Sequence, residues 1–210
     1  MTEPTQPEPA QPGDHYFITP TGDLRTRTVT ARIWDRDYEF TTANGVFSGD
    51  GLDLGTAVLL RELDPPTGAL RILDLGCGWG PISIALAREN ARAEIDAVDT
   101  NERALALCAR NAAAYGLGDR VHPLIPEAVA EDRRYDQIWS NPPIRIGKPA
   151  LHAMLLHWLA RLTPQGVAYL VVGKNLGADS LQRWLVEQGY ACARVASAKG
   201  FRVLAVHPSR

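Results

Sequence analysis

Apolar and polar positions alternate over Thr28–Ile33 and again over Tyr38–Phe40, the period of half-buried strands, with Gly22–Asp23 as a turn signal before them. Residues 15–45 therefore read as a small N-terminal β flap, closed by a second turn at Asn44–Gly45. Asp53 is placed to cap a helix from about Leu54 to Leu63, which Pro65–Pro66 stops. Beyond it, short apolar runs alternate with amphipathic stretches. Strands are predicted at Leu70–Leu73, Glu94–Val98, Arg120–Leu124, Gln137–Ser140 and Gly166–Val172. Helices are predicted over Ile82–Arg88, Arg103–Tyr115, Ala150–Leu162 and Leu181–Gln188. The chain closes on Ala191–Ala196 and Phe201–His207, separated only by Ser197–Gly200, which predicts an antiparallel hairpin. Strand–helix units of ~25–30 residues imply an α/β fold with a doubly wound, mostly parallel sheet.

Composition narrows this picture. The 210 residues suffice for one domain with a sizeable core and not for two ordinary ones. Residues 1–14, with four prolines and no basic residue, read as a disordered, solvated tail, leaving 15–210 as a single domain with its core at 46–210. The 45% apolar and 22% charged content excludes a disordered chain or a coiled coil. Cys77, Cys108 and Cys192 are too far apart for a disulfide framework or a paired metal motif, so no metal is expected. No run of ~18 apolar residues exists to span a membrane, and with no basic leader the expected location is the cytoplasm. A net charge of −2 argues against gripping nucleic acid by bulk charge. The charge is nevertheless segregated: residues 161–210 carry seven basic and two acidic residues, while residues 41–160 carry 11 basic and 15 acidic.

Candidate chemistry begins with Asp74-Leu75-Gly76-Cys77-Gly78-Trp79-Gly80-Pro81, where the first core strand passes into a helix. Gly76, Gly78 and Gly80 allow a tight turn and a close approach to a ligand. Asp99 ends the next strand, 19 residues after Gly80, where a carboxylate can accept both hydroxyls of a ribose. Alternatives are a dinucleotide site or a purely structural turn, and Asp99 could simply cap Asn101–Arg103. Asp74, however, would repel a pyrophosphate and suits the ammonium of an amino-acid-like cofactor. The block resembles motif I of the class I S-adenosylmethionine-dependent methyltransferases, which implies a Rossmann-like sheet of seven strands with its hairpin at the C-terminal edge.

Ser140-Asn141-Pro142-Pro143-Ile144 follows the fourth predicted core strand, 61 residues after Gly80 counting to Asn141. Two prolines could be only a rigid exit from a strand. An exocyclic amine or amide nitrogen, though, attacks a methyl sulfonium poorly because its lone pair is delocalised. The Asn141 side-chain oxygen and the Pro142 carbonyl are two acceptors that can hold its N–H groups and turn the lone pair to the methyl. The segment is similar to motif IV of amino-methyltransferases that modify planar nitrogens, with Ile144 where an aromatic residue is usual. That resemblance makes Asn141, Pro142, Pro143 and Ile144 the catalytic segment.

Gly45-Val46-Phe47-Ser48, Asp53, Gly55-Thr56, His15-Tyr16-Phe17, Asn141–Lys148 and Lys199–Leu204 resemble the small-domain methyltransferases, typified by small-subunit ribosomal RNA guanine-N2 methyltransferases and their single-domain relatives. The resemblance implies S-adenosylmethionine held by Phe47, Thr56, Asp74, Gly76, Cys77, Gly78, Gly80, Asp99 and Asn141. It implies an RNA partner, ribosomal or a ribosomal subunit, met by Arg145, Lys148, Lys199 and Arg202, with guanine N2 as the acceptor. Phe47 equally suits a core aromatic; Arg145 and Lys148 equally suit a solvated face, and for Lys199 and Arg202 a solvated face is the first reading. A protein glutamine amide, another nucleobase or small-molecule amine, and a catalytically silent RNA-assembly factor stand as alternatives. His152 and His157, five apart on a helix, share no face and read as ordinary helix residues.

Overall fold

The computed structural model describes residues 23–209; the tail at 1–14, the His15–Phe17 opening and Gly22 lie outside the described residues. Strands β1 (Thr26–Ile33) and β2 (Arg36–Ala43) pair antiparallel as the flap. Their two-residue turn is Trp34–Asp35, at φ 45° and 62°, a conformation that costs non-glycine residues about 1–2 kcal/mol each. Trp34 is held in it from outside the ribbon. Its indole N–H donates to the Leu63 carbonyl at 2.8 Å, and its ring meets Trp139 edge-on.

The main sheet has seven strands: β3 (Arg71–Leu75), β4 (Glu94–Val98), β5 (Val121–Leu124), β6 (Tyr135–Ser140), β7 (Leu162–Gly173), β8 (Ala191–Ala198) and β9 (Phe201–His207). Their spatial order is β5-β4-β3-β6-β7-β9-β8. Strands β3 to β7 are parallel, and β9 runs antiparallel between β7 and β8. The β8–β9 turn is tighter than the predicted Ser197–Gly200. Only Lys199 and Gly200 make it, at φ 47° and 81°, as a two-residue hairpin with a primed turn demands. Strand β7 starts earlier than its apolar run suggests. Its register on β6 jumps from Tyr135↔Leu162 to Gln137↔Val167, so the Pro164 stretch bulges out of the ladder.

Helices α1 (Leu54–Glu62), α2 (Pro81–Glu89) and α3 (Glu102–Ala114) pack on one face of the sheet, against Ile72, Ile95, Val121 and Trp139. Helices α4 (Lys148–Leu159) and α5 (Ala178–Glu187) cover the other, against Leu73, Leu75, Ile138 and Leu170. Successive strand residues thus feed opposite layers, the doubly wound arrangement that the alternation predicts. Helix α4 begins two residues before the predicted start, because Pro149 is tolerated in the first turn. His152 stacks on Trp184 across α4 and α5. Among the described residues no helix is long and apolar enough to cross a membrane.

The chain switches direction across the sheet between β3 and β6: β4 and β5 lie on one side of β3, and β6 on the other. In such sheets the ligand crevice lies at the carboxyl ends of the strands flanking this switch. The flap is tied to that edge through α3. Asn111, buried, donates from Nδ2 to the carbonyls of Thr41 (2.8 Å) and Trp79 (2.9 Å) and accepts from the Thr41 N–H at 2.7 Å. Phe40 packs on Trp79 with ring centroids 5.0 Å apart. Asn111→Ala removes all three bonds, each worth ~1 kcal/mol with further cost for the groups left unpaired. Urea unfolding is expected to show a loss of about 3 kcal/mol, and a loss within ~0.5 kcal/mol would mean that the flap is held by apolar packing alone.

Candidate active site

Strand register brings the predicted residues together. Leu75 of β3 pairs with Val98 on one side and with Ser140 on the other. The next residue of each strand, Gly76, Asp99 and Asn141, therefore stands at the same level of the sheet edge. Ser140 fastens the β3–β6 exit further, its hydroxyl donating to the Leu75 carbonyl at 2.7 Å.

The glycine loop is built by the backbone. The N–H groups of Gly76 and Cys77 both donate to the Val98 carbonyl, at 2.8 and 3.0 Å. Gly76 and Gly78 have φ of 77° and 55°, and a Cβ on either would meet nothing within 4 Å, so the loop opens onto free space. Gly80 is constrained differently. It precedes Pro81 at the start of α2 with φ 92°, and a Cβ there would stand 2.7 Å from Cys108 Sγ. The Cys77 side chain is buried, and burial beside Cys108 pushes its thiol well above the usual range. Its part in the cavity wall is therefore packing, not nucleophilic chemistry.

A cavity under the loop is lined by Phe47, Ser48, Asp53, Thr56, Gly76, Cys77, Gly78, Trp79, Pro81, Ile82 and Asn141. Six of the nine predicted cofactor positions are in that wall: Phe47, Thr56, Gly76, Cys77, Gly78 and Asn141. Phe47 is 44% exposed, so it belongs to the cavity rim and not to the core, where its neighbour Val46 is buried. Asp99 stands behind Gly78: one carboxylate oxygen accepts from the Gly78 N–H and the other from the Asn101 N–H, each at 2.9 Å. It thus fixes the loop and the start of α3 together, with lone pairs to spare on both oxygens. Burial raises its pKa.

Asp74 lies deeper, without solvent contact and outside the cavity wall. Its Oδ2 accepts from the Ser83 N–H (3.0 Å) and hydroxyl (2.6 Å), while Oδ1 has no partner. Burial pushes this carboxyl up to about 7, against the two Ser83 bonds and with a further push from Asp99. An unpartnered buried carboxylate oxygen under a glycine cradle, with Asp99 beside it, fits a ligand that carries a positive charge and hydroxyl groups.

Asn141 is held by side chains from α1. Its Nδ2 donates to Asp53 Oδ2 at 2.7 Å and to Thr56 Oγ1 at 3.1 Å. The Pro142 carbonyl accepts from the Ile144 N–H at 2.8 Å around Pro143, whose φ −74° and ψ 78° make an inverse γ-turn. One lone pair of that carbonyl stays available. Ile144 packs against the α4–α5 layer. Phe201, predicted in the terminal strand and within the Lys199–Leu204 resemblance but not as a site residue, stands at this junction. A Cβ at Gly55 would lie 3.0 Å from Phe201 Cε1 and 3.3 Å from Asn141 Nδ2. Asp53 was legible as a cap, but its bond to Asn141 crosses 88 residues and leaves no local signal.

The four predicted substrate cations divide. Arg145, Lys148 and Lys199 are exposed, beside Ile144, at the start of α4 and in the β8–β9 turn. Arg202 is already engaged: it pairs with Asp179 at 3.4 Å and donates to Ser197 at 3.0 Å. Among the described residues no cluster of His, Cys, Asp or Glu could hold a metal.

The methyltransferase small domain family matches residues 37–205 of the chain. An uncharacterized Bacillus subtilis (strain 168) protein, YbxB, is 31% identical over 194 residues, covering 91% of this chain and 96% of its own length. Ribosomal RNA small subunit methyltransferase C of Shewanella loihica is 34% identical over 157 residues, 68% of this chain and 45% of that protein. Among solved structures, the T. thermophilus 16S rRNA N2 G1207 methyltransferase in complex with AdoMet and guanosine superposes with a TM-score of 0.77. It is 28% identical and covers 90% of this chain, which spans 52% of that protein. The chain thus spans about half the length of these ribosomal RNA methyltransferases.

The raised pKa of Asp74 is a stability statement. The folded protein keeps this proton up to about pH 7, whereas the unfolded chain loses it near the ordinary 3.8. Stability owed to this group is therefore full below about pH 4 and is lost as the pH rises through about 7. Relative to Asp74→Asn, the wild type should lose on the order of a few kcal/mol between these limits in urea titrations. Parallel stability curves would show that the carboxyl is not held protonated.

Proposed function

The chain belongs to the methyltransferase small domain family, and we propose that it transfers the S-adenosylmethionine methyl group to guanine N2 of ribosomal RNA. The observation that carries this reading is the alignment of Gly76, Asp99 and Asn141 at one level of the sheet edge. The cofactor supplies an electrophilic methyl on a sulfonium. In this reading Gly76, Gly78 and Gly80 shape the cradle, Asp99 accepts the ribose hydroxyls, and Asp74 Oδ1 takes the ammonium, directly or through water. Phe47 and Thr56 close the cavity. Thr56 Oγ1 accepts from Asn141, so its own proton is free for a carboxylate.

The acceptor amine gives its two N–H groups to Asn141 Oδ1 and to the remaining lone pair of the Pro142 carbonyl. Its nitrogen lone pair is then turned out of the base plane toward the methyl. Pro143 holds this geometry through its γ-turn, so little ordering is left to be done on binding. As the new C–N bond forms, the nitrogen becomes acidic and its proton passes to solvent without a strong base. Ile144 gives an apolar contact, and the ring of Phe201 offers the aromatic surface that position 144 lacks.

A target guanine must be unpaired or flipped out, since pairing occupies its exocyclic amine. In this reading Arg145, Lys148 and Lys199 meet backbone phosphates near it, and Lys174 adjoins the β8–β9 turn, its N–H donating to the Gly200 carbonyl at 2.8 Å. Arg202 would position the hairpin through Asp179. Such a limited patch suits a protein of net charge −2 working in the cytoplasm on ribosomal particles. The test is labelled-methyl transfer to small ribosomal subunits, naked RNA and protein extract from cells lacking the protein, followed by digestion. Label should appear as N2-methylguanosine and fall about 100-fold or more with Asn141→Ala. Label in a glutamine side chain, or none in RNA, would overturn the reading.

A further inference from the structure

We propose that Asp53 is a positioning residue for methyl transfer, which fixes the orientation of the Asn141 amide so that its oxygen, and not its nitrogen, faces the acceptor. This rests on the reading of Asn141 as the group that orients the acceptor amine. An asparagine amide is nearly symmetric in shape. Rotated by a half-turn, it would present NH2 to an amine that itself needs acceptors, and the site would repel its substrate.

Two neighbours remove that ambiguity. Asp53 Oδ2, at 2.7 Å from Nδ2, accepts and does not donate. Thr56 Oγ1 accepts a second bond from the same nitrogen at 3.1 Å. Both N–H bonds of the amide are thus directed into the protein. Asn141 Oδ1 accepts from no donor among the described residues and is not among their buried unpartnered atoms, so it faces the open cavity.

Asp53 is itself immobilised. The same Oδ2 accepts from the N–H groups of Gly55 (2.7 Å) and Thr56 (3.1 Å) at the start of α1. Gly55 allows the close approach: a Cβ there would stand 2.9 Å from Asp53 Oδ2 and 3.3 Å from Asn141 Nδ2. One carboxylate oxygen therefore joins a helix start to a side chain 88 residues away. A capping role alone needs only the two backbone bonds.

Asp53→Ser separates the roles, because serine is as good a cap but too short to hold the amide and able to donate as well as accept. The expected result is a kcat at least tenfold lower, with KM for RNA and Kd for S-adenosylhomocysteine within about threefold. Asn141→Asp alone sets two carboxylates against each other. Combining it with Asp53→Asn restores a donor–acceptor pair and should recover at least tenfold of the activity lost in Asn141→Asp. A kcat for Asp53→Ser within twofold of wild type, or no recovery in the pair, overturns the proposal. An activity-free readout separates this from a failure of the methyl-transfer reading. The Asn141 side-chain amide protons, identified by their loss in Asn141→Asp, should exchange slowly with water in the wild type and at least tenfold faster in Asp53→Ser. Equal exchange in both proteins would refute the clamp even if no RNA is methylated.

Discussion

The parallel ladder that sets Leu75 between Val98 and Ser140 is the constraint from which the rest of the site follows. Three strands buried on both faces cannot slip without moving an entire row of side chains into the wrong layer. Their carboxyl ends are therefore held level, and the residues that follow them have no choice of neighbour. A glycine loop, an acidic side chain and an asparagine, far apart in sequence, meet because hydrogen bonds between strands put them there. The two helical layers secure this register. Apolar residues of β3 and β6 alternate between the α1–α3 side and the α4–α5 side.

On that frame, the site is organised by carboxylates that bind backbone N–H groups. Asp53 holds the start of α1, Asp99 holds Gly78 and Asn101, and Asp74 holds Ser83 at the start of α2. Each brings acceptor oxygens to a helix N-terminus, where N–H groups without helical partners and the helix dipole favour them. Asp53 and Asp99 thereby stiffen walls of the cavity. Asp74 differs in keeping a buried oxygen without a partner, at the energetic expense visible in its raised pKa. A site that stores such a cost in its free form can recover it when a cation arrives.

Much of this is legible in the sequence. Alternation between apolar runs and amphipathic stretches predicts the element order, and the glycine loop and Asn-Pro-Pro segment fall at strand ends as predicted. What escaped depends on tertiary partners. The Trp34–Asp35 turn has neither glycine nor asparagine and exists because Leu63 and Trp139 hold Trp34 in place. The early part of β7 is hidden by its bulge, since Pro164 breaks the alternation by which a strand is recognised. The pairing of Arg202 with Asp179 joins β9 to α5, and no local pattern distinguishes it from a free surface cation. Phe201 reaches Gly55 and Asn141 only because β9 inserts out of sequence order beside β7. Asp53 was recognised for the local half of its role and not for the distant half.

The proposed function divides one crevice into two adjoining parts, a cradle ending at Asp99 and an acceptor clamp beginning at Asn141. The most direct measurement is calorimetric titration of S-adenosylhomocysteine into Asp99→Ala and Asn141→Ala. Loss of the Asp99 carboxylate should weaken binding about 10- to 100-fold, as expected for charge-assisted hydrogen bonds. Asn141→Ala should bind within about threefold of wild type while losing turnover. Equal loss of binding in the two variants would contradict the division and make Asn141 part of the cradle.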